Sequence, residues 1–445
     1  MEASLQLTAA LRSQSAAADP VATPRLVPQS AAPGAQGSAV GAPHILLIAA
    51  SSLASTARLA IELHRSGAAV SLVAPPGHPA RVLRFFKQLT THDVWQPWKL
   101  LEKCLRRWTP DAIIPCDERT VRDLHELHAR TGDRAICAMV ERSLGAPSIF
   151  ATVRSRDRLL SLARAIGVRV PESMSVPDEA TLDVWLRRQP APFVMKADGS
   201  WAGFGVRIIS DKRVAHQAWQ QMRQPTSFYM GLRALLLDRD AFGVRSWAQS
   251  ERPVLSVQSY IDGWPANIGV ACWHGEVLAT NCAEAVSTLS ATGPSTVARI
   301  IQNSEMVDAA KGIVRELGLS GLIGFDFMVE AASGHAYLIE MNPRVTPICT
   351  IPLGLGHDLP DALTACLAGR MPQDRPPRTD CEIIAYFPDT WRQDPSNRLL
   401  QAGFHDVPWD EPDLVRRLMQ PDAIERNLVF RQVRHLRRHV SAAAR

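Results

Sequence analysis

The chain has 445 residues, room for two to four domains and far more than a small disulfide-stapled scaffold needs. Apolar residues make up 46 % and charged residues 21 %, as in ordinary globular proteins, and no apolar run is long enough to predict a membrane-spanning helix. The formal charge of +5 rests on 49 basic residues, most of them arginines scattered along the chain. Composition therefore favours neither a nucleic-acid partner nor a membrane partner.

The eight cysteines form no CxxC pair, and most lie within apolar runs. A thiol in such a run packs as a small apolar side chain. This pattern predicts a cytoplasmic protein, in a reducing compartment, without a structural zinc site.

The composition of the chain and the positions of its helix- and strand-ending residues divide it into four parts. Residues 1–43 are rich in Ala, Ser, Pro, Gln and Gly, and they hold too few large apolar side chains to offset the entropy of ordering. We predict a disordered tail there, a small α/β domain over 44–150, a main domain over 151–370 and a C-terminal α+β extension over 371–445.

The α/β pattern of 44–150 begins with an apolar run at 45–50, an amphipathic stretch and a second apolar run at 70–73. A helix over 98–108 and a strand over 112–115 follow, and the strand ends at Cys116-Asp117-Glu118. This alternation predicts a parallel sheet with helices on both faces. The first strand-to-helix turn, 49–53, contains no glycine, which argues against a dinucleotide site.

A lysine and a glycine-rich loop mark the start of the main domain. Two helices, 154–166 and 181–188, precede a buried strand over 193–196 that ends at Lys196, and a returning strand covers 206–209. Small residues let backbone N–H groups point at phosphate, and a cation on a rigid strand can neutralise it. An ordinary hairpin loop remains an alternative. The glycines of this loop are Gly199, Gly203 and Gly205.

The most informative pattern is a hairpin over 322–344 with two carboxylates. If its loop is the three-residue type, 332–334, Asp326 lies directly opposite Glu340 and shares a face with Asn342. Like charges in that position need a cation, and hard oxygen ligands suit Mg²⁺ or Mn²⁺. A solvated hairpin, or a carboxylate paired with Arg344, is the alternative, and a two- or four-residue loop would separate the acids. The core face is expected to hold Phe325, Phe327, Val329, Tyr337, Ile339 and Met341.

Further elements follow between and beyond these motifs. A strand is predicted over 253–261, a hairpin turning at His274-Gly275 and a helix over 305–317. The last 75 residues mix strand and helix, and we expect them to cover the substrate side or to complete the second sheet. The segment 226–252 is ambiguous, and a basic tail over 426–438 is explained by a solvated helix.

Taken as a set, the lysine strand, glycine loop, QSYIDG strand and EMNPR hairpin resemble the ATP-grasp superfamily in order and spacing. The resemblance spans about 190 residues and is most specific at the hairpin. It implies a small parallel-sheet domain followed by an ATP-grasp fold, with two α+β subdomains enclosing the nucleotide.

The resemblance also implies roles, residue by residue. Lys196 and the glycine loop would contact the phosphates of ATP, with Arg156 in place of the usual lysine. Metal ligands for Mg²⁺ would be Asp326, Glu340 and Asn342. Arg344 would steady the transferred phosphoryl or acyl phosphate, with Arg299 as a second cation. The hinge holding adenine would comprise Gln258, Tyr260 and Ile261, and ribose would be bound by Asn267 or by Asp262.

In chemical terms, the resemblance implies an ADP-forming ligase that activates a small-molecule carboxylate, such as an amino acid, for attack by an amine. A biotin- or bicarbonate-type carboxylase subunit and a non-catalytic ATP-binding regulatory protein are the alternatives. A homodimer is compatible with the family, although no sequence feature decides it.

Overall fold

In a computed structural model of this chain, the described residues are 41–197, 205–224 and 253–420, with single positions at 232, 244 and 247. Within these ranges no helix is both long and apolar enough to cross a membrane.

The N-terminal part is a four-stranded parallel sheet flanked by helices, as the sequence predicts. The strand order is β3-β2-β1-β4, and the apolar run at 45–48 is fully buried because helices cover both faces. In chain order the elements are β1 (His44–Ile48), α1 (Ala54–Arg65), β2 (Ala69–Ala74), β3 (Gln88–Thr91), α2 (Pro97–Trp108), β4 (Ala112–Pro115), α3 (Glu118–Arg130) and α4 (Arg134–Leu144).

At the carboxyl ends of β1 and β4, one carboxylate accepts hydrogen bonds from backbone N–H groups of the turn that follows β1. Asp117 accepts hydrogen bonds from the N–H groups of Ala50 and Ser51, at 2.7 and 2.8 Å, and caps α3 through the N–H of Thr120. A parallel sheet of this order offers its ligand crevice between these two strands. Asp117 therefore occupies backbone donors that a pyrophosphate would otherwise use in this crevice.

A second, antiparallel sheet of order β5-β8-β6-β7 follows. Side chains alternate along its strands: Phe193 and Met195 pack in its core, whereas Val194 and Lys196 point to the other face. The elements of this part are α5 (Phe150–Val153), α6 (Arg156–Ala165), β5 (Ser173–Ser175), α7 (Glu179–Arg188), β6 (Phe193–Ala197), β7 (Val206–Ile209), α8 (Ala215–Met222) and β8 (Leu255–Ser259).

The third sheet has seven strands in the order β13-β12-β9-β10-β11-β14-β15. Its last two strands come from the C-terminal segment, which therefore completes the sheet, one of the two roles expected for it. The elements are β9 (Gly263–Trp273), β10 (Glu276–Thr288), β11 (Ser295–Ile301), α9 (Ser304–Leu317), β12 (Gly321–Glu330), β13 (Ala336–Asn342), α10 (Leu359–Leu367), β14 (Ile383–Tyr386), α11 (Asp389–Gln393), α12 (Leu399–Ala402), β15 (Phe404–Asp406) and α13 (Pro412–Met419).

The hairpin β12–β13 pairs Asp326 with Glu340, as predicted, but for a different reason. The loop has four residues, 331–334, because Glu330 and His335 are the last pair joined by a backbone hydrogen bond. A β-bulge at Ile339 inserts one extra residue and restores the pairing of the two acids.

Because the loop is longer and the strand has a bulge, the residues that face the core differ in part from those predicted. Ala336 and Leu338 are buried in the core, whereas Tyr337 and Ile339, which were expected there, lie on the site side or are only partly buried. The predicted positions of Phe325, Phe327, Val329 and Met341 are confirmed.

One face of the seven-stranded sheet packs on α6 and α9 through an apolar cluster, and the other carries the acids. On that other face the chain after β13 approaches very closely. A Cβ on Gly324 would lie 2.4 Å from Cγ2 of Thr346, and one on Gly269 would lie 2.8 Å from Sγ of Cys349. These two glycines therefore allow the segment after β13 to lie against the sheet beside the acids.

Candidate active site

A cavity of about 450 Å³ is lined by residues of both the four-stranded antiparallel sheet and the seven-stranded sheet. Its chemistry changes from one end to the other. Apolar side chains line one end, and six charged side chains line the centre. Such a cavity suits a ligand with an apolar ring at one end and charge at the other.

The apolar end is formed by side chains from facing sheets. Val194, Val206 and Ile208 come from β6 and β7, and Met328 and Ile339 come from the acid-bearing hairpin. Ile208 is 44 % exposed although it is apolar and points into this cavity. An exposed apolar surface inside a concave site indicates a place for a flat apolar ligand.

The predicted hinge residues lie at the same end. Gln258, Tyr260 and Ile261 all line the cavity, at and just beyond the end of β8. Gln258 is buried, and its Nε2 donates to no partner among the described residues. A buried amide donor without a partner costs free energy unless a ligand accepts its hydrogen bond.

In the centre, cations from several elements surround the two acids. Arg156, the first residue of α6, places its Nη2 3.1 Å from Oε1 of Glu340. Burial acts to raise the pKa of Glu340, but Arg156, Lys196 and Arg344 together lower it below its ordinary value. Burial, and then Glu340, raise the pKa of Asp326 to about 6. The pair is thus an acidic site held between cations.

Arg344 is anchored beside these acids by its own segment. Its Nη2 donates to Oδ1 of Asn342 at 3.0 Å, its Nη1 donates to the carbonyl of Val345, and Asn342 in turn donates to Oδ2 of Asp326 at 2.8 Å. Its Nε lies 3.3 Å from Oε1 of Glu118. The guanidinium is therefore fixed in orientation at the edge of the cavity.

The donor set fits a divalent cation that shares its coordination with phosphate. No cluster of three His, Cys, Asp or Glu side chains that could hold a metal occurs in the described ranges. Mg²⁺, however, needs only one or two carboxylates when phosphate oxygens and water complete its shell. Asn267 pairs with Asp326 on the adjacent strand, and its buried Oδ1 accepts no hydrogen bond from the residues that the structure describes. A hard cation or a ligand donor would satisfy this oxygen.

Not every residue predicted from the sequence joins this centre. Arg299 pairs with Glu284 at 2.8 Å, and it lies on the face of β11 opposite to Ala298, which packs with the cavity residues Ile348 and Tyr386. This placement is at odds with a role for Arg299 over the γ-phosphate, because strand neighbours point to opposite faces.

The glycine loop is described only at its end. Gly199 and Gly203 lie outside the described residues. Gly205 accepts a hydrogen bond through its carbonyl from the N–H of Ala197, which closes the base of the loop next to Lys196. Asn267, predicted at the ribose, lines the cavity directly opposite Asp326 on the neighbouring strand, and its contact with ribose stays a prediction.

Sequence reasoning missed Glu118 as a site residue. It lies three residues beyond the end of the buried strand β4 and lines the cavity. The signal was present, since an acid at the carboxyl end of a parallel strand is a usual position for a functional group. The apolar walls were missed because Val194 and Ile208 resemble ordinary strand residues.

Part of the chain that forms this site matches a known protein family. Residues 239–347, which include both acids and Arg344, match the family described as ATP-grasp domain. No curated protein sequence matches the chain at a significant level.

Solved structures share the fold at low identity. N5-carboxyaminoimidazole synthetase from Staphylococcus aureus, complexed with ADP, is 13 % identical with a TM-score of 0.54, over 75 % of this chain and 79 % of that one. Biotin carboxylase from Campylobacter jejuni is 14 % identical with a TM-score of 0.53, over 74 % and 71 %. L-amino acid ligase from Bacillus licheniformis is 15 % identical with a TM-score of 0.50, over 75 % and 76 %.

The fold defines a class of mixed α/β protein that is built from a parallel-sheet unit and two further sheets. More particularly, the chain has the ATP-grasp fold, with a small parallel sheet at its N-terminal side.

Proposed function

We propose that this protein is an ADP-forming ligase that uses ATP to activate a carboxylate for attack by an amine. The observation that carries the proposal is the Asp326–Glu340 pair, which is surrounded by Lys196, Arg156 and Arg344 in a cavity with an apolar far end. A nucleoside triphosphate matches this cavity, because its flat base suits the apolar end and its phosphates suit the cations. The ADP-bound relative of the same fold supports it.

In this proposal adenine lies between the apolar walls, with Ile208 on one side and Ile339 on the other. Gln258 donates through its Nε2 to a ring nitrogen or its equivalent, and the chain at Tyr260 and Ile261 borders the base. The phosphates then extend toward Lys196 and Arg156, with Gly205 beside them. The ribose contact proposed is Asn267 or Asp262, and Asn267 lies opposite Asp326 on the neighbouring strand.

We further propose that Asp326, Glu340 and Asn342 hold Mg²⁺ or Mn²⁺, with Asn267 as an additional oxygen donor. When bound, the cation would neutralise charge on the phosphates of ATP. The protein's own part is to hold two carboxylates at one place against their mutual repulsion, which Arg156 and Lys196 make possible. Displacement of Arg156 from Glu340 by a phosphate would free that carboxylate.

The reaction proposed proceeds in two displacements. An oxygen of the substrate carboxylate attacks the γ-phosphorus, a C–O–P bond forms, and the bond to the β-phosphate oxygen breaks to release ADP. The amine then attacks the acyl carbon, phosphate leaves with the bonding electrons, and the amine proton passes to solvent. Lys196 neutralises the phosphates and Arg344 orients the carboxylate, so that the residues act by position and charge.

The substrate proposed is a small carboxylic acid such as an amino acid, with a small-molecule amine as acceptor. A biotin-type carboxylase is the second candidate, because biotin carboxylase from Campylobacter jejuni shares the fold to a similar degree. All eight cysteines are free thiols, which suits the cytoplasm as the compartment. The domain limits 44–150, 151–370 and 371–445 and a homodimer remain part of the proposal.

The test is release of ADP from ATP and Mg²⁺ in the presence of pooled carboxylates and pooled amines, with bicarbonate and biotin as a separate pool. Glu340→Gln and Lys196→Ala should each lower the pool-dependent rate at least about 100-fold, since each removes a charged contact to the reacting groups. Glu316→Gln and Lys311→Ala, both exposed on α9, are matched controls that should keep the rate.

Three other outcomes would contradict the proposal in different ways. ADP release only with bicarbonate and biotin would favour the carboxylase. ATP binding without turnover in any pool would favour a regulatory protein. Release of AMP and pyrophosphate would exclude the acyl-phosphate route.

A further inference from the structure

We infer that Glu118 binds the ammonium group of the carboxylate substrate, which makes this substrate an α-amino acid. The inference rests on the proposed function and deepens it. It is drawn from the position of Glu118, from the bonds that hold Arg344, and from the balance of charge in the cavity.

Glu118 belongs to the N-terminal parallel-sheet unit, and its side chain lines the cavity. It is the first residue of α3, directly after Asp117, whose side chain and Thr120 form a reciprocal capping box. That cap fixes the start of the helix, and the N–H groups there favour a negative charge. Of the described residues before position 150, Glu118 alone lines the cavity. Its side chain is 37 % exposed, so a ligand can reach it.

The contact between Glu118 and Arg344 can open without loss of the arginine's position. Besides the Nε of Arg344, which lies 3.3 Å from Glu118, both terminal nitrogens of the guanidinium have partners in its own segment. Arg344 therefore stays anchored when Glu118 takes another partner. A ligand carboxylate and a ligand ammonium can replace the direct ion pair by two new ones.

Charge balance calls for a cation beside Glu118. The charged residues among the described lining are three cations and three acids, and Asp326 and Glu340 are the two that the proposed metal uses. Glu118 is then the remaining acid, and it lies next to the place proposed for a carboxylate and a triphosphate. When the substrate carboxylate takes Arg344, Glu118 loses its ion-pair partner and its carboxylate would repel both ligands, whereas a substrate ammonium converts this repulsion into attraction.

An α-amino acid is the ligand class that carries both charges at the required separation. Its carboxylate and ammonium groups are attached to the same carbon atom, and Glu118 and Arg344 are likewise in direct contact. A simple carboxylic acid would leave Glu118 unpaired, and a carboxylate with a distant amine would not reach both groups. The cationic and anionic side chains thus form a matched recognition pair.

The experiment compares amino acids with their desamino analogues, such as L-leucine with 4-methylpentanoate and L-alanine with propionate. Hydroxylamine serves as the acceptor, because it captures an activated carboxyl group independently of the natural amine. The measured quantities are kcat and KM for ADP release, for the wild-type protein, Glu118→Gln and Glu118→Asp. Binding of ATP alone to each variant provides the check that the variant is folded.

We expect the wild-type protein to prefer an amino acid over its analogue about 100-fold in kcat/KM, as for a charged contact. Glu118→Gln should reduce this preference to below about 10-fold, mainly through KM of the amino acid, and Glu118→Asp should restore part of it. ATP binding should be unchanged.

Two results would overturn the inference while the proposed function stands. In one, the wild-type protein uses the desamino acid equally well. In the other, Glu118→Gln lowers kcat for both substrates by the same factor, which would make Glu118 only a positioning residue for Arg344. Absence of ADP release with every carboxylate, analogues included, would instead contradict the proposed function itself.

Discussion

Asp326 and Glu340 lie directly opposite each other on neighbouring antiparallel strands, brought into register by a single bulged residue, Ile339. Two carboxylates in this position repel each other, and sheets normally avoid the arrangement. Here Arg156, with its Nη2 3.1 Å from Glu340, offsets part of the repulsion. The hairpin therefore holds its acids at a cost in stability that a bound cation would relieve.

Asp326→Asn should stabilise the ligand-free protein and abolish turnover. The pKa of Asp326 is raised from 3.8 to about 6, so the folded state binds more protons than the unfolded state across that interval. Stability from this group therefore falls as pH rises from about 4 to 6. In urea unfolding with EDTA present, the free energy of unfolding of the variant should rise relative to that of the wild-type protein as the pH increases through this interval. An equal difference at all pH values would contradict the prediction.

Arg344→Ala should lower the pool-dependent ADP release at least about 100-fold, because this guanidinium borders the acids and Glu118. Arg299→Ala is the matched comparison. Arg299 lies on the opposite face and pairs with Glu284. The rate of Arg299→Ala should therefore stay within about threefold of the wild-type rate, because loss of a partly exposed ion pair has only a small effect. Equal losses in the two variants would restore Arg299 to the site.

Gly324→Ala should disturb the site through packing. Its Cβ would lie 2.4 Å from Cγ2 of Thr346, so the segment that carries Arg344 must shift, at a cost of about 1–3 kcal/mol. Thr346→Ala removes the two closest atoms and leaves a Cβ at 3.2 Å. Denaturant unfolding should show that the double variant is more stable than the sum of the single effects predicts. Strict additivity would mean that the contact does not exist.

Asp361→Ala should be the most destabilising change outside the cavity. Its carboxylate is fully buried and accepts hydrogen bonds from Nη2 of Arg370 at 2.7 Å and from the N–H of Gln373 at 2.6 Å. Removing one partner of such a buried network costs about 3–5 kcal/mol. Arg370 also donates to the carbonyl of Ser66, so the loss would loosen the contact with the N-terminal unit.

The control for this variant is Asp374→Ala, which alters an exposed carboxylate in the same segment. Its unfolding midpoint in denaturant should differ little from that of the wild-type protein. Similar midpoints for both variants would show that the buried network adds no stability.

Local patterns predicted most elements of this fold. The strands 112–115 and 206–209 have the predicted bounds, and the turn at His274-Gly275 has the positive φ angles of 50° and 84° that its sequence indicates. Such elements follow from apolar periodicity and from turn residues, which are local properties. The two acids of the hairpin were found for the same reason.

What the sequence did not predict depends on contacts between distant segments. The bulge at Ile339 has no local signal, because one extra residue in a strand changes no composition. Arg299 faces away from the cavity since its neighbour Ala298 packs inward, and a sequence with several arginines does not indicate which one faces the site. Glu118 reaches Arg344 across 226 positions of the chain, a relationship that only the tertiary structure supplies.

Asp117 has a wider consequence. In many parallel α/β folds the amides after the first strand remain available, and a phosphate group from outside completes them. Here the protein supplies that anion itself, because the carboxylate of Asp117, just beyond β4, accepts hydrogen bonds from the N–H groups of Ala50 and Ser51. These backbone donors are therefore satisfied within the protein, and the same edge of the sheet presents the neighbouring Glu118 to the cavity.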